Sequence, residues 1–94
     1  MTKSTTAIPT EHASKYLQQL CKHFAHKLAV TFDEHAGSIT FSIGECRLKT
    51  EDGALRIDLT APNAEEMEQL KDVVIRHLVR FAFREELSPT WQDA

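Results

Sequence analysis

LAVTFDEHAGSITFSIGECRLKTEDGALRIDLT, running from Leu28 to Thr60, is a succession of alternating runs broken by turn signals. Leu28, Val30 and Phe32 alternate with Ala29, Thr31 and Asp33. Ile39, Phe41 and Ile43 alternate with Ser38, Thr40 and Ser42. Cys46 and Leu48 then face one way with Arg47 and Lys49 the other, and Leu55, Ile57 and Leu59 alternate with Arg56 and Asp58. A period of two is the signature of strands with one buried face. Glu34-His35-Ala36-Gly37, Gly44-Glu45 and Asp52-Gly53 mark the turns. Connections this short force each strand antiparallel to the one before, because a parallel return needs a long crossover. The stretch therefore predicts a four-stranded antiparallel meander with one apolar face.

Helical periodicity flanks it on both sides. Upstream, Ala13, Leu17, Leu20, Phe24 and Leu28 fall on one helical face with Cys21 beside them. Thr10 is placed as a cap and Glu11 suits the positive helix end, so a helix is expected from there to about Lys27. Downstream, Ala61-Pro62 ends the sheet and Asn63 caps a helix with Glu65 and Glu66 in its first turn. Met67, Leu70, Val74, Leu78 and Phe81 form its apolar stripe, widened by Ile75, Val79, Ala82 and Phe83. Both helices should cover the apolar face of the sheet and leave its other face in water. The fold class is α+β, a two-layer sandwich in the order α-β-β-β-β-α. Residues 10–94 read as a single α+β domain. Residues 1–9, rich in Ser and Thr, read as a flexible leader or at most an edge addition to the sheet. Trp91, the large apolar group of the tail, is expected to fold back on the body.

Composition narrows the function classes. Ninety-four residues with 41% hydrophobic content suit one small core. A net charge of −3 provides no general attraction to phosphate backbones, which disfavours nucleic acid as a partner. The first residues lack the apolar run of a secretory signal, and no segment approaches the roughly 20 apolar residues that span a bilayer. Cys21 and Cys46 form no CxxC pair and read as reduced core thiols, so the expected location is cytoplasmic.

Tyr16 to Lys27 (YLQQLCKHFAHK), Phe32 to Phe41 (FDEHAGSITF) and Phe81 to Leu87 (FAFREEL), followed by Trp91, resemble the small bacterial proteins grouped as domain of unknown function 2218. The resemblance extends from about Pro9 to the end. It implies no established activity and no agreed site. Such domains turn up near siderophore-interacting and iron-uptake proteins, and the resemblance therefore implies iron handling as a process.

Candidate chemistry sits on the helices. His12, Tyr16, Gln19, His23 and His26 form a second stripe on the first helix. His23 and His26, one turn apart, could approach one metal ion, iron or zinc, or a haem, with Tyr16, Gln19 or His77 as a third ligand. Lys15, Lys22 and Lys27 flank the stripe, so Tyr16, Gln19 and Lys22 could instead hold a small anion such as a carboxylate-bearing chelate or a haem propionate. Arg76, Arg80 and Arg84, spaced by four, make a basic ridge suited to carboxylate or phosphate. The competing explanation for each is an ordinary solvated helix face, with Asp72 placed to pair with Arg76. There is no Gly-rich phosphate loop, HExxH or nucleophile elbow, so no catalytic residue is assigned.

These features favour a non-enzymatic accessory domain that binds a small ligand or a partner protein. The alternatives are a structural module that homodimerises through the wide second helix, where Ile75, Val79 and Phe83 need cover, and, third, a small metal-dependent enzyme.

Overall fold

The computed structural model describes residues 1–82, 87 and 89–93. It differs most from the expected meander at its beginning. Of the two expectations for this segment, a flexible leader or an addition to the sheet, the second holds: Thr2–Pro9 is an eight-residue strand, β1. The helix α1 (Ala13–Phe24) follows, then β2 (Ala29–Phe32), β3 (Ala36–Phe41), β4 (Gly44–Glu51), β5 (Ala54–Ala61), α2 (Ala64–Phe81) and the two-residue β6 (Gln92–Asp93). Among the described residues the sheet has six strands, in the order β2-β3-β4-β5-β1-β6, not the expected four. Every neighbouring pair is antiparallel, and the expected meander makes up its first four positions.

β1 pairs with β5 along its whole length, from Thr2 opposite Ala61 to Pro9 opposite Ala54. Its inward residues are Ser4, Thr6 and Ile8, all buried. The Ser4 hydroxyl donates to Asp93 Oδ1 at 2.7 Å, and Thr5, on the opposite face, donates to Asp58 Oδ1 at 2.6 Å. Polar groups carried inward in this way hide the alternation that marks the other strands. Pro9 stands at the strand's end, where a missing N–H is tolerated.

Both helices lie on one face. A Cβ added at Gly37 of β3 would stand 2.7 Å from Cys21 Sγ of α1, and one added at Gly44 of β4 would stand 2.9 Å from Leu70 Cδ2 of α2. Gly37 is opposite Leu48 and Gly44 is opposite Phe41, so both belong to the face that carries Ile39, Cys46, Leu48, Ile57 and Leu59. With Leu17, Leu20, Met67, Leu70, Val74 and Leu78 these form the core. Full burial of each Leu or Ile contributes roughly 1.5–3 kcal/mol before conformational entropy is counted. Phe24, Val30, Phe41 and Phe81 pack against its margin. Phe32, expected inside, is 37% exposed because β2 is the edge strand and, among the described residues, has a neighbour on one side only.

The helix ends follow from local hydrogen bonding. α1 starts later than expected: Thr10 Oγ1 accepts from the His12 amide at 3.1 Å, and the helix begins at Ala13. It stops at Phe24, whose carbonyl receives the amides of both Lys27 and Leu28. α2 is capped as expected, with Asn63 Oδ1 accepting from the Glu66 amide at 2.8 Å. The turn between β3 and β4 falls at Ser42-Ile43, one step before the expected Gly44-Glu45. Gly53, at φ +66°, occupies the left-handed turn position that Asp52-Gly53 signalled. Trp91 does fold back, packing on the core margin with Lys71 Nζ 5.6 Å from its ring centroid. Lys71 also reaches Asp93 Oδ1 at 3.2 Å, so one lysine ties α2 to β6. No helix among the described residues is long and apolar enough to cross a membrane.

Candidate functional site

The end of α1 and the last two turns of α2 meet at a corner rich in rings. His23, exposed on the last turn of α1, lies with its ring centroid 5.0 Å from that of His77 on α2, at an interplanar angle of 44°. The same imidazole stands edge-on to Phe24 at 5.0 Å and to Phe81 at 5.9 Å. Phe24 also contacts His77 at 4.9 Å and Phe41 of β3 at 5.0 Å. The corner joins both helices to the sheet.

His77 is oriented by its own helix. Its Nδ1 is 2.7 Å from the Val73 carbonyl oxygen, which can only accept, so Nδ1 carries the proton and a neutral ring keeps its lone pair on Nε2. That is the second-neighbour arrangement commonly found behind a metal-ligating imidazole. Around His23 the field is positive. Desolvation lowers its pKa from the usual 6.5, and the nearby charges of His77, Arg80, Lys27 and His26 lower it further. The ring is held toward its neutral form, able to accept a hydrogen bond or a metal ion.

The expected site residues are distributed unevenly about this corner. His23 has His77 as its ring partner. His26 lies in the turn beyond α1, so the two do not share a continuous helix. Arg80 acts on His23 through charge, which links the α1 stripe to the α2 ridge. Arg76 is exposed and pairs with Asp72 at 3.3 Å. Lys22 is exposed. Tyr16 is only 4% exposed and stacks edge-on with His12 at 6.0 Å, two turns from His23. Gln19, one turn before His23, is half-buried, and its buried Oε1 has no hydrogen-bond partner among the described residues. Arg84 and Phe83 lie outside the described residues. Among the described residues no three His, Cys, Asp or Glu side chains are grouped to hold a metal ion.

A second surface is the open face of the sheet, which motif reasoning did not single out. Thr31, Ser38, Arg47, Asp58, Thr5 and Gln92 form one row across all six strands. A shallow depression of about 600 Å³ there is lined by Thr31, Ser38, Arg47, Lys49 and Asp58 among others. Its cations are largely engaged: Arg47 pairs with Glu45 at 3.0 Å, and Arg56 pairs with Asp58 at 3.1 Å and Glu51 at 3.5 Å. Burial pulls the Asp58 carboxyl upward, but hydrogen bonds from Thr5 and Arg56 outweigh it and leave its pKa low. A face whose arginines are already paired with carboxylates has less to offer an ionic ligand than the corner does.

No curated protein matches the chain. Among solved structures it is similar to PA4090 from Pseudomonas aeruginosa, determined by NMR, at 34% identity and a TM-score of 0.82, with 98% of this chain and 96% of that one covered. The sequence profile described as "Uncharacterized protein conserved in bacteria (DUF2218)" matches residues 5–92. With nearly the whole chain matched, this protein belongs to the bacterial family DUF2218.

Proposed function

We propose that the chain is a non-enzymatic, cytoplasmic accessory domain that holds a small anionic metal chelate at the corner between α1 and α2, in the handling of iron. The observation that carries this reading is the approach of His23 and His77, rings 5.0 Å apart, inside a positive field to which Arg80 and Lys27 contribute. Two imidazoles are too few to hold a bare iron or zinc ion in a closed site. They suffice for a metal whose remaining positions are filled by a chelator or a macrocycle. Phe24 and Phe81 offer apolar edges to such a ligand, and the cations suit its carboxylates. Iron as the metal rests on what the family resemblance implies and on no residue of this chain. The test is titration of the purified chain with ferric citrate, haemin and zinc, read by calorimetry and absorbance, beside a His23→Ala/His77→Ala variant.

Self-association through α2 is the alternative reading. Its support is Val79, 40% exposed; Ile75 is half-buried, and the depression beside it is shared with Pro89 and Trp91.

A further inference from the structure

The two ends of the sheet are treated differently. At one end β1 is followed by β6, and Pro9 closes the strand. At the other end β2 has no neighbour beyond it among the described residues, and Ala29-Val30-Thr31-Phe32 contains no charge and no proline. Edges left in this state are templates for another strand.

Which of its groups are free follows from the hairpin. The Asp33 amide donates to the Ala36 carbonyl at 2.8 Å, so the β2–β3 ladder is hydrogen-bonded at that position. Antiparallel pairs alternate, which makes Thr31 with Ser38 a bonded pair and Val30 with Ile39 and Phe32 with Gly37 non-bonded pairs. The N–H and C=O of Val30 and Phe32 therefore point away from β3, toward the open edge. The Leu28 amide, next in the alternation, is already given to Phe24.

We infer that two copies of this chain join edge to edge through β2, in a twofold antiparallel pairing centred on Thr31. In that register Val30 of each copy faces Phe32 of the other, and all four free groups on each strand are matched at once. Val30 and Phe32 share the helix side of the sheet, so the exposed phenyl ring gains an apolar neighbour. Thr31 meets its own counterpart on the open face, where two hydroxyls can bond. Charge favours the same sense of pairing: Lys27 precedes β2 and Asp33 and Glu34 follow it, so an antiparallel arrangement sets the basic end of one strand beside the acidic end of the other. A second copy satisfies all of these conditions because the strand is complementary to itself. The inference does not depend on what binds at the His23–His77 corner.

Sedimentation of the full chain from micromolar to millimolar concentration tests it, with three variants. Val30→Pro deletes an N–H that bonds nothing among the described residues, and Thr31→Lys sets two like charges together at the twofold axis while altering only an exposed residue. The expected result is a concentration-dependent dimer whose Kd rises at least about tenfold in each of these two and is unchanged in Val79→Glu. If Val30→Pro fails to fold, Thr31→Lys decides. A wild type that stays monomeric at millimolar concentration would overturn the inference, as would a dimer indifferent to Thr31→Lys or one dissociated by Val79→Glu.

Discussion

The rings of His23 and His77, on different helices, stand 5.0 Å apart at a tilt of 44°. Their proximity has a consequence for titration. His23 is pulled below the usual imidazole value of 6.5 by desolvation and then by His77, Arg80, Lys27 and His26. Its folded-state pKa is therefore lower than its unfolded one, so protonation disfavours the fold, and stability falls as pH drops through about 6.5 toward the folded midpoint. A ring-proton NMR titration should place the His23 midpoint below that of an unfolded reference. Arg80→Gln should move it upward, and an unmoved midpoint would remove Arg80 from the site.

Gly44→Ala should be among the more damaging single-methyl changes in the chain. At φ +155° the added Cβ would lie 2.2 Å from the Thr60 carbonyl oxygen, a backbone atom that cannot swing aside. Overpacking of this kind costs on the order of 1–3 kcal/mol, and positive φ adds to it. Gly37→Ala meets Cys21 Sγ, a side chain with some freedom, and should cost less. Urea denaturation orders the two.

Deleting Met1 to Thr6 should abolish cooperative unfolding. The segment provides most of β1, including the Ser4 link to Asp93 and the strand that covers β5. Backbone amides of Thr2 to Ile8 that face β5 should resist hydrogen exchange, whereas a mobile leader would exchange at once.

The thiols should be inert in the native state. Burial pushes Cys21 up to about 11 and raises Cys46 further still, with the neighbouring Cys21, Asp58 and Glu45 adding to the shift. Both side chains are fully buried. Ellman's reagent near pH 8 should label neither residue until denaturant is added, and rapid labelling of the folded chain would contradict this packing.

How far the fold was legible depended on whether burial left a mark on hydrophobicity. Leu55, Ile57 and Leu59 alternate with Arg56 and Asp58, so β5 announces its inner face; β2, β3 and β4 do so too. β1 does not, because Ser4 and Thr6 are carried inward and buried. The available signal was its density of threonine, a residue favoured in strands. β6 is two residues long and depends on Ser4 and Lys71 for its place, partners that no local pattern reveals. The Asn63 cap and the Asp72–Arg76 pair were readable because both are contacts within one or two turns. The His23–His77 approach was not, because it depends on how α1 and α2 cross. His26 is nearer in sequence, but α1 ends at Phe24 before reaching it. His77 carried one hint: it sits beside Leu78, four residues before Phe81, at the border of α2's apolar stripe.

The most direct measurement for the binding proposal is calorimetric titration of the wild type and of His23→Ala/His77→Ala with ferric citrate, haemin and zinc, with circular dichroism to confirm that the variant is folded. The expected result is saturable uptake of a chelated metal, close to one equivalent per chain, by the wild type, and its loss in a variant that keeps its fold. Absence of saturable binding by the wild type with all three, or binding undiminished in the double variant, would contradict it.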